Sequence, residues 1–249
     1  MAHFSFVVYI NDILGGIKSS GLLFADDTKI FRTITSKIEA RELQENLTSL
    51  EQWSSKWSLD FNSEKCHILT LGKFENICCA YRYKIYNKEL EHVYAEKDLG
   101  IYIDENLSFE EHISTKVRIA NAIVAQIRNS FTFLDGPMFK RLYTAFVRPH
   151  LEYAQSAWSP HLQKYINMLE NVQIRATKLV DGFKELEYKE RLIKLGLPSL
   201  KYRRKRGDMV EIFKHFNKYD RNALSTSFKP RQRTTRTHNF QILVRIPKD

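Results

Sequence analysis

The sequence predicts an α+β chain: a small antiparallel sheet with helices over residues 1–104, then an all-α bundle of helices. Three observations predict it. Before Asp104, short β-branched and aromatic runs recur around one amphipathic helix; beyond it, apolar residues recur only at helical spacing. The charge changes at the same place. Residues 1–104 carry 12 Lys and Arg against 15 Asp and Glu, whereas residues 105–249 carry 27 against 14. At 249 residues the chain is long enough to bury a substantial core.

Phe4 to Leu14 is an apolar segment that reads as a strand or a helix tail. Leu22–Ala25 and Lys29–Ile34 read as two short strands around the adjacent aspartates Asp26 and Asp27, with no Gly or Pro to mark the turn. Lys37 to Ser58 is helical, because Leu43, Leu47, Leu50, Trp53 and Trp57 return every three or four residues. Ser36 with Glu39 three residues on predicts a capping box at its start. "HILTLG" (67–72) and "LGIYID" (99–104) are strand-like, and Tyr81–Tyr86 with Leu90–Val93 predicts a hairpin around Asn87-Lys88.

In the second half, Phe109 to Phe131 places Ile113, Val117, Ala120, Ile123/Val124 and Ile127 on one stripe. Gly136-Pro137 interrupts the pattern, and Met138 to Arg148 forms the next helix, with Pro149 kinking or ending it. Gln163 to Val180 follows and stops at Asp181-Gly182; Tyr188–Leu195 and Ser199–Tyr219 flank "GLPS". Tyr143, Phe146, Tyr153 and Trp158 read as core aromatics. Residues 105–221 form the helical region, and 222–249 a basic, aperiodic tail read as loop or disorder.

Three cysteines, Cys66, Cys78 and Cys79, give neither an even count nor a C-x-x-C spacing. That argues against a disulfide framework or a zinc knuckle and for a reducing compartment, so a nuclear or cytoplasmic rather than a secreted protein is expected. "MAHFSFVVYI" lacks the basic start of a signal peptide, and no run approaches the 18 or so apolar residues of a membrane span. A basic half beside a slightly acidic one suggests a polyanion partner; a basic soluble surface is the plain alternative.

The Asp pair admits two readings. Acidic residues favour turns, so Asp26-Asp27 can simply close one. Alternatively, two neighbouring carboxylates at a tight turn can serve divalent metals, whose natural ligands in phosphoryl-transfer sites are oxygens.

The surroundings carry a resemblance. "YINDI" (9–13), "LFADDTKIF" (23–31), "WSLDFNSEKCHILTLG" (57–72), "KDLGIYIDENLSFEEHI" (97–113), "LYTAFVRPHLEYAQSAWSP" (142–160), "VQIRATKLV" (172–180) and "YKERLIKLGLPSLKYRRKRGDM" (188–209) follow one another in order. Together they resemble the reverse transcriptase of non-LTR retrotransposons of the jockey and chicken-repeat type. "FADD" alone is a weak match; the ordered series, from about Tyr9 to Lys214, is a specific one.

The resemblance implies an RNA-directed DNA polymerase: a partial palm over residues 1–104 and a thumb with its connected helices over 105–221. It implies that Asp26 and Asp27 are catalytic residues that hold magnesium, or manganese, with Asp26 serving both ions and Asp27 an auxiliary ligand or an electrostatic partner. Phe24 and Ala25 would face the primer terminus and the palm interior. Lys65 of "NSEKC" would act near the departing pyrophosphate, a solvated surface lysine being the rival reading. Leu99, Gly100 and Ile101 would form the primer grip, against the rival of an ordinary strand glycine.

An RNA template, a DNA primer and a deoxynucleoside triphosphate are the implied partners, with no membrane. Arg118, Arg128, Lys140, Arg141, Arg148, Arg175 and Lys178 would contact the RNA–DNA duplex through its phosphates, as would Lys201, Arg203, Arg204, Lys205 and Arg206 of "KYRRKRGD". Each singly fits a solvated face as well, and the last run also fits a nuclear-localisation patch. The family's earlier aspartate motif, of the D-F-S-K-A-F-D kind, and its nucleotide-gripping fingers residues do not occur in this sequence. The expectation is therefore a C-terminal piece with an incomplete metal site, inactive alone, or a non-catalytic nucleic-acid-binding remnant.

Overall fold

The computed structural model describes residues 10–72 and 81–216 and one strand pair, 229–230 with 242–243. The chain divides into two units, 1–109 and 110–249. It is mixed α and β, with small sheets in the first unit and mainly helices in the second, as the sequence predicts; the single antiparallel sheet expected is instead, among the described residues, a set of two-stranded sheets, one of them parallel.

In the first unit a 3₁₀ turn, Ile13–Gly16, precedes a two-stranded hairpin of β1 (Ser20–Phe24) and β2 (Asp27–Phe31). The apolar segment that leads the chain is thus a short helical turn over its described part, and residues before Ile10 lie outside the described residues. Helix α1 (Lys37–Trp57) carries the expected capping box: the Ser36 hydroxyl accepts from the Glu39 N–H, and the Glu39 carboxylate accepts from the Ser36 N–H at 2.9 Å. Ser58, left-handed, ends it.

One buried side chain ties the hairpin to this helix. Asn46 accepts from the Lys18 N–H and donates to the Ser19 hydroxyl and the Glu42 carbonyl, each at 2.7 Å. A buried amide with every partner in place costs little and fixes where β1 begins.

Further on, β3 (His67–Leu69) pairs in parallel with β6 (Glu91–Val93), and β4 (Lys84–Ile85) pairs with β5 (Lys88–Glu89). The expected second hairpin exists, but its turn is Tyr86-Asn87, one residue earlier than Asn87-Lys88. Both residues sit at positive φ, +50° and +61°, as a two-residue turn matched to strand twist requires. The Tyr86 N–H donates to Glu51 of α1 at 2.7 Å, which helps select that register. Strands β7 (Ala95–Asp98) and β8 (Ile101–Asp104) close the unit as an antiparallel hairpin.

The second unit begins with α2 (Glu110–Ser130), which buries Ile113, Val117, Ala120, Val124 and Ile127, the predicted stripe. The next helix differs from the sequence reading. Asp135 caps it, Pro137 stands in its first turn, and α3 (Gly136–Leu142) passes through a π turn, Tyr143–Val147, into α4 (Arg148–Glu152). Gly136-Pro137 starts this helix, and Pro149 neither ends nor breaks it.

The cause is legible in the buried residues. Phe139, Tyr143, Val147 and Leu151 are buried at a strict four-residue repeat. An α-helix turns in 3.6 residues, so that repeat would drift around its surface; a wider π turn brings it back into line. Proline placed just beyond the π turn can dispense with its missing donor.

Helices α5 (Gln155–Trp158), α6 (Gln163–Ala176), α7 (Tyr188–Leu195) and α8 (Leu200–Phe216) complete the unit. A 3₁₀ turn, Thr177–Leu179, ends the run read as one helix to Val180. Strands β9 (Lys229–Pro230) and β10 (Ile242–Leu243) pair in the segment read as loop; the rest of that segment, like Cys78 and Cys79, lies outside the described residues.

Candidate functional site

The Asp pair sits at the tip of the β1–β2 hairpin. Phe24 pairs with Asp27, leaving Ala25 and Asp26 as a two-residue turn, so Asp26 lies in the turn and Asp27 begins β2. Ala25 supplies the positive φ, +52°, that the sequence does not advertise with a glycine. The register explains why the turn is tolerated. It directs Leu23 and Ile30 to a core cluster with Ile13 and Leu50, and a one-residue slip would turn that face outward.

Both aspartates are exposed, and neither carboxylate makes a hydrogen bond or ion pair among the described residues. On the same face as Asp27 stand Phe24 and Leu22, 61% and 58% exposed. Carboxylate oxygens in adjacent positions suit a hard divalent cation in type. They fall short in number, because no group of three or more His, Cys, Asp or Glu side chains converges among the described residues. Lys65 is exposed and is joined to neither aspartate by any described bond.

The "KDLGIYID" segment is a hairpin, with Leu99 and Gly100 as its two-residue turn at φ +44° and +84°. Leu99 is exposed at the tip, and Ile101 is buried at its base. An ion pair between Lys29 of β2 and Asp98 of β7 links this hairpin to the aspartate hairpin. Sequence reasoning singled out neither Lys29 nor Asp98, which stand among other charges, 69 positions apart, with no local signal that pairs them. Asp104 ends β8 with its carboxylate accepting from the Ser108 and Phe109 N–H groups at 2.9 and 2.7 Å. Burial opposes its ionisation, but those donors hold its carboxyl below the ordinary range.

The basic candidates of the second unit fall into two classes. Arg118, Arg128, Arg141, Lys178, Lys201, Lys205 and Arg206 are exposed and have no acidic partner among the described residues. Lys140 and Arg175 are exposed too, bonded only to backbone carbonyls of Gly196 and Asn171.

The others serve the interior. Arg148 stands 3.7 Å from Glu152, and Arg203 holds the same carboxylate through two nitrogens, one at 2.9 Å. Arg204 is 4% exposed, with both terminal nitrogens buried and unpaired. Burial lowers its proton affinity, against the pull of Glu170, Glu152 and Asp208. Density of charge in "KYRRKRGD" therefore marks a helix with two faces: Lys201, Lys205 and Arg206 face water, while Arg203 and Arg204 face inward. A Cβ at Gly207 would come within 2.2 Å of the Gln155 amide nitrogen, so that side chain would have to move.

Beneath this face runs a polar network that the sequence did not reveal. The Tyr143 hydroxyl donates to Gln173 at 2.6 Å, and the Gln173 amide donates to Tyr188 and to the Pro198 carbonyl, each at 3.0 Å. Tyr188 donates to Glu170, which also accepts the N–H groups of Leu200 and Lys201 at the start of α8. Burial, then the Glu170 carboxylate, pushes the Tyr188 phenol upward. Of the four aromatics read as core, Tyr143 and Trp158 are buried, whereas Phe146 and Tyr153 are more than half exposed.

Comparison with known proteins gives these motifs a lineage. Over 167 residues the chain is 27% identical to the RNA-directed DNA polymerase from mobile element jockey of Drosophila funebris and 25% identical to that of Drosophila melanogaster. Each match covers 64% of this chain and 18% of the relative. A probable RNA-directed DNA polymerase from transposon X-element of Drosophila melanogaster is 22% identical over 175 residues, covering 66% and 18%. This chain is a relative of the non-LTR retrotransposon reverse transcriptases. It matches less than a fifth of the length of these reverse transcriptases. No family model and no solved structure matches it.

Proposed function

We propose that the chain contributes to RNA-directed DNA synthesis, with the first unit as part of a palm and the second as a thumb. The single observation that carries this is the exposed Asp26-Asp27 tip, held beside the Leu99-Gly100 hairpin by the Lys29–Asp98 pair, within a chain related to jockey-type polymerases. In this reading Asp26 and Asp27 would hold magnesium or manganese, which when bound supplies charge stabilisation for nucleotidyl transfer. Leu99 and Gly100 would lie along the primer, Phe24 beside its terminus, and Lys65 would serve as a cation for the leaving group.

Two carboxylates hold a metal loosely, and removal of one principal ligand from such a centre costs orders of magnitude in rate. Polymerisation by this chain alone is therefore expected to be undetectable. A primer-extension assay with Mg²⁺ or Mn²⁺ tests it: the expected result is no product, and template-directed synthesis abolished by Asp26→Asn would overturn that expectation while establishing the aspartate's role.

The second reading, a nucleic-acid-binding protein without catalysis, is favoured by the exposed cations of the helical unit, which do not depend on the Asp pair. Duplex binding that survives Asp26→Asn would agree with it.

A further inference from the structure

We propose that Asp98 is a positioning residue that draws the Lys29 ammonium away from the aspartate pair and so keeps those carboxylates open to a divalent cation. The proposal rests on the reading of Asp26 and Asp27 as metal-holding residues, and it adds what guards their charge.

The hairpin carries its own counter-ion. Successive side chains of a strand point to opposite faces, so Asp27, Lys29 and Phe31 share one face of β2. Thr28 and Ile30 share the other, and Ile30 packs on the core cluster of Ile13 and Leu50. Lys29 thus stands on the outer face two positions from Asp27, about 6.6 Å along the strand. Its flexible four-carbon stem spans that distance. An ammonium resting on Asp27 would cancel half the charge of the pair and repel an arriving cation.

The ammonium goes elsewhere. Lys29 pairs with Asp98 of β7, and neither Asp26 nor Asp27 has a side-chain partner among the described residues. The Lys29 and Asp98 side chains are only 37% and 23% exposed, so the pair is screened less than a surface one. Register places Asp98: it faces Ile101 and directly precedes the Leu99-Gly100 turn. The next cation along the chain follows the same plan, because Arg32, just past β2, is held by Glu42 of α1. Both cations nearest the tip are therefore engaged by carboxylates other than those of the tip.

A pair that only tied two hairpins together would depend on both members alike. A guard depends on them unequally. Loss of Asp98 releases the ammonium onto Asp27, whereas loss of Lys29 removes the competitor.

The test uses the full chain and two readouts. Mn²⁺ alone is titrated at low salt and followed by electron paramagnetic resonance. Zero-length carbodiimide coupling, which joins an amine to an adjacent carboxylate as an amide with loss of water, is mapped by mass spectrometry. The parent should couple Lys29 to Asp98, and Asp98→Asn should couple Lys29 to Asp27. Asp98→Asn should weaken Mn²⁺ binding by about tenfold, the effect of one unit charge placed about 6 Å from a divalent ion in water. Lys29→Met should bind Mn²⁺ at least as tightly as the parent, and the double variant Asp98→Asn with Lys29→Met should recover the parental affinity. Equal losses in the two single variants without recovery in the double would overturn the guard and leave a structural tether. Absence of the Lys29–Asp27 product in Asp98→Asn would overturn it as well. Mn²⁺ binding indifferent to Asp26→Asn in the parent would defeat the metal reading instead, while the coupling products still decide whether Asp98 holds Lys29 off the pair.

Discussion

The two units bury their side chains in opposite ways. Among the described residues of 1–109, buried hydrophobic residues gather in small clusters, one around Ala40, Tyr83, Ile85 and Leu90 and another around Ile10, Ile13 and Leu50. Leu22, Phe24 and Phe31 remain on the outer face of a two-stranded hairpin. In residues 110–249 large side chains such as Trp158, Tyr143, Phe139 and Leu151 are fully buried, together with His112, Gln173 and Arg191, and Arg204 is nearly so. The difference teaches how the fold divides its labour. The sheet unit leaves its aspartate tip exposed and thinly supported. The helical unit commits even charged residues to its interior, and only what remains outside is free to bind.

The largest expected effect breaks the comparison on the helical side. His112 is fully buried against Trp158, with ring centroids 4.9 Å apart. Burial, and then the Lys116 charge, lowers its pKa to about 4 from an ordinary 6.5. The unfolded chain therefore binds a proton that the folded chain refuses between these values. Stability contributed by neutral His112 is complete above pH 6.5 and is lost as pH falls towards 4, by up to about 3 kcal/mol. Urea midpoints of the helical signal should fall over that window in the parent and fall less in His112→Gln. Identical pH profiles would remove His112 from the account.

Next in size is the network under α8. Glu170→Ala leaves the Tyr188 hydroxyl and two helix-start N–H groups without their acceptor. A decrease of about 2 kcal/mol is expected, read as a lower urea midpoint. A change within 0.5 kcal/mol, the range of about ±0.5 typical of surface substitutions, would show that water replaces the carboxylate freely.

The smallest effect sharpens the comparison on the sheet side. Leu99 holds φ +44° at an exposed turn tip, a conformation that asparagine adopts more readily. Leu99→Asn should stabilise the chain by about 1 kcal/mol. If the same variant also weakens retention of a primer terminus, the strained leucine is there for function; if stability drops instead, the leucine packs at that tip.

Much of this was legible in the sequence, and the reasons are specific. The Ser36–Glu39 box and the Ile113-to-Ile127 stripe were readable because local chemistry and helical period agree. The Asp26 hairpin was readable as a hairpin but not in its bounds, since Ala25 in a left-handed turn has no marker in residue type. The π turn was written in the four-residue repeat from Phe139 to Leu151, which Pro149 disguised as an ending. Arg203 and Arg204 were not separable from Lys201, Lys205 and Arg206 by charge; only helix orientation divides them. The Lys29–Asp98 pair joins residues 69 positions apart, beyond any local pattern.

That division of the basic run gives the most direct test. Binding of an RNA–DNA duplex to the full chain, titrated across salt, should show log affinity falling linearly with log salt. Neutralising Lys201, Lys205 and Arg206 together should flatten that line by about 0.7–0.9 for each phosphate no longer neutralised, without unfolding the chain. Arg203→Gln should instead lower stability and leave the slope alone. A slope unchanged by the triple neutralisation, or affinity indifferent to salt, would contradict the claim that the outward cations of the helical unit hold nucleic acid.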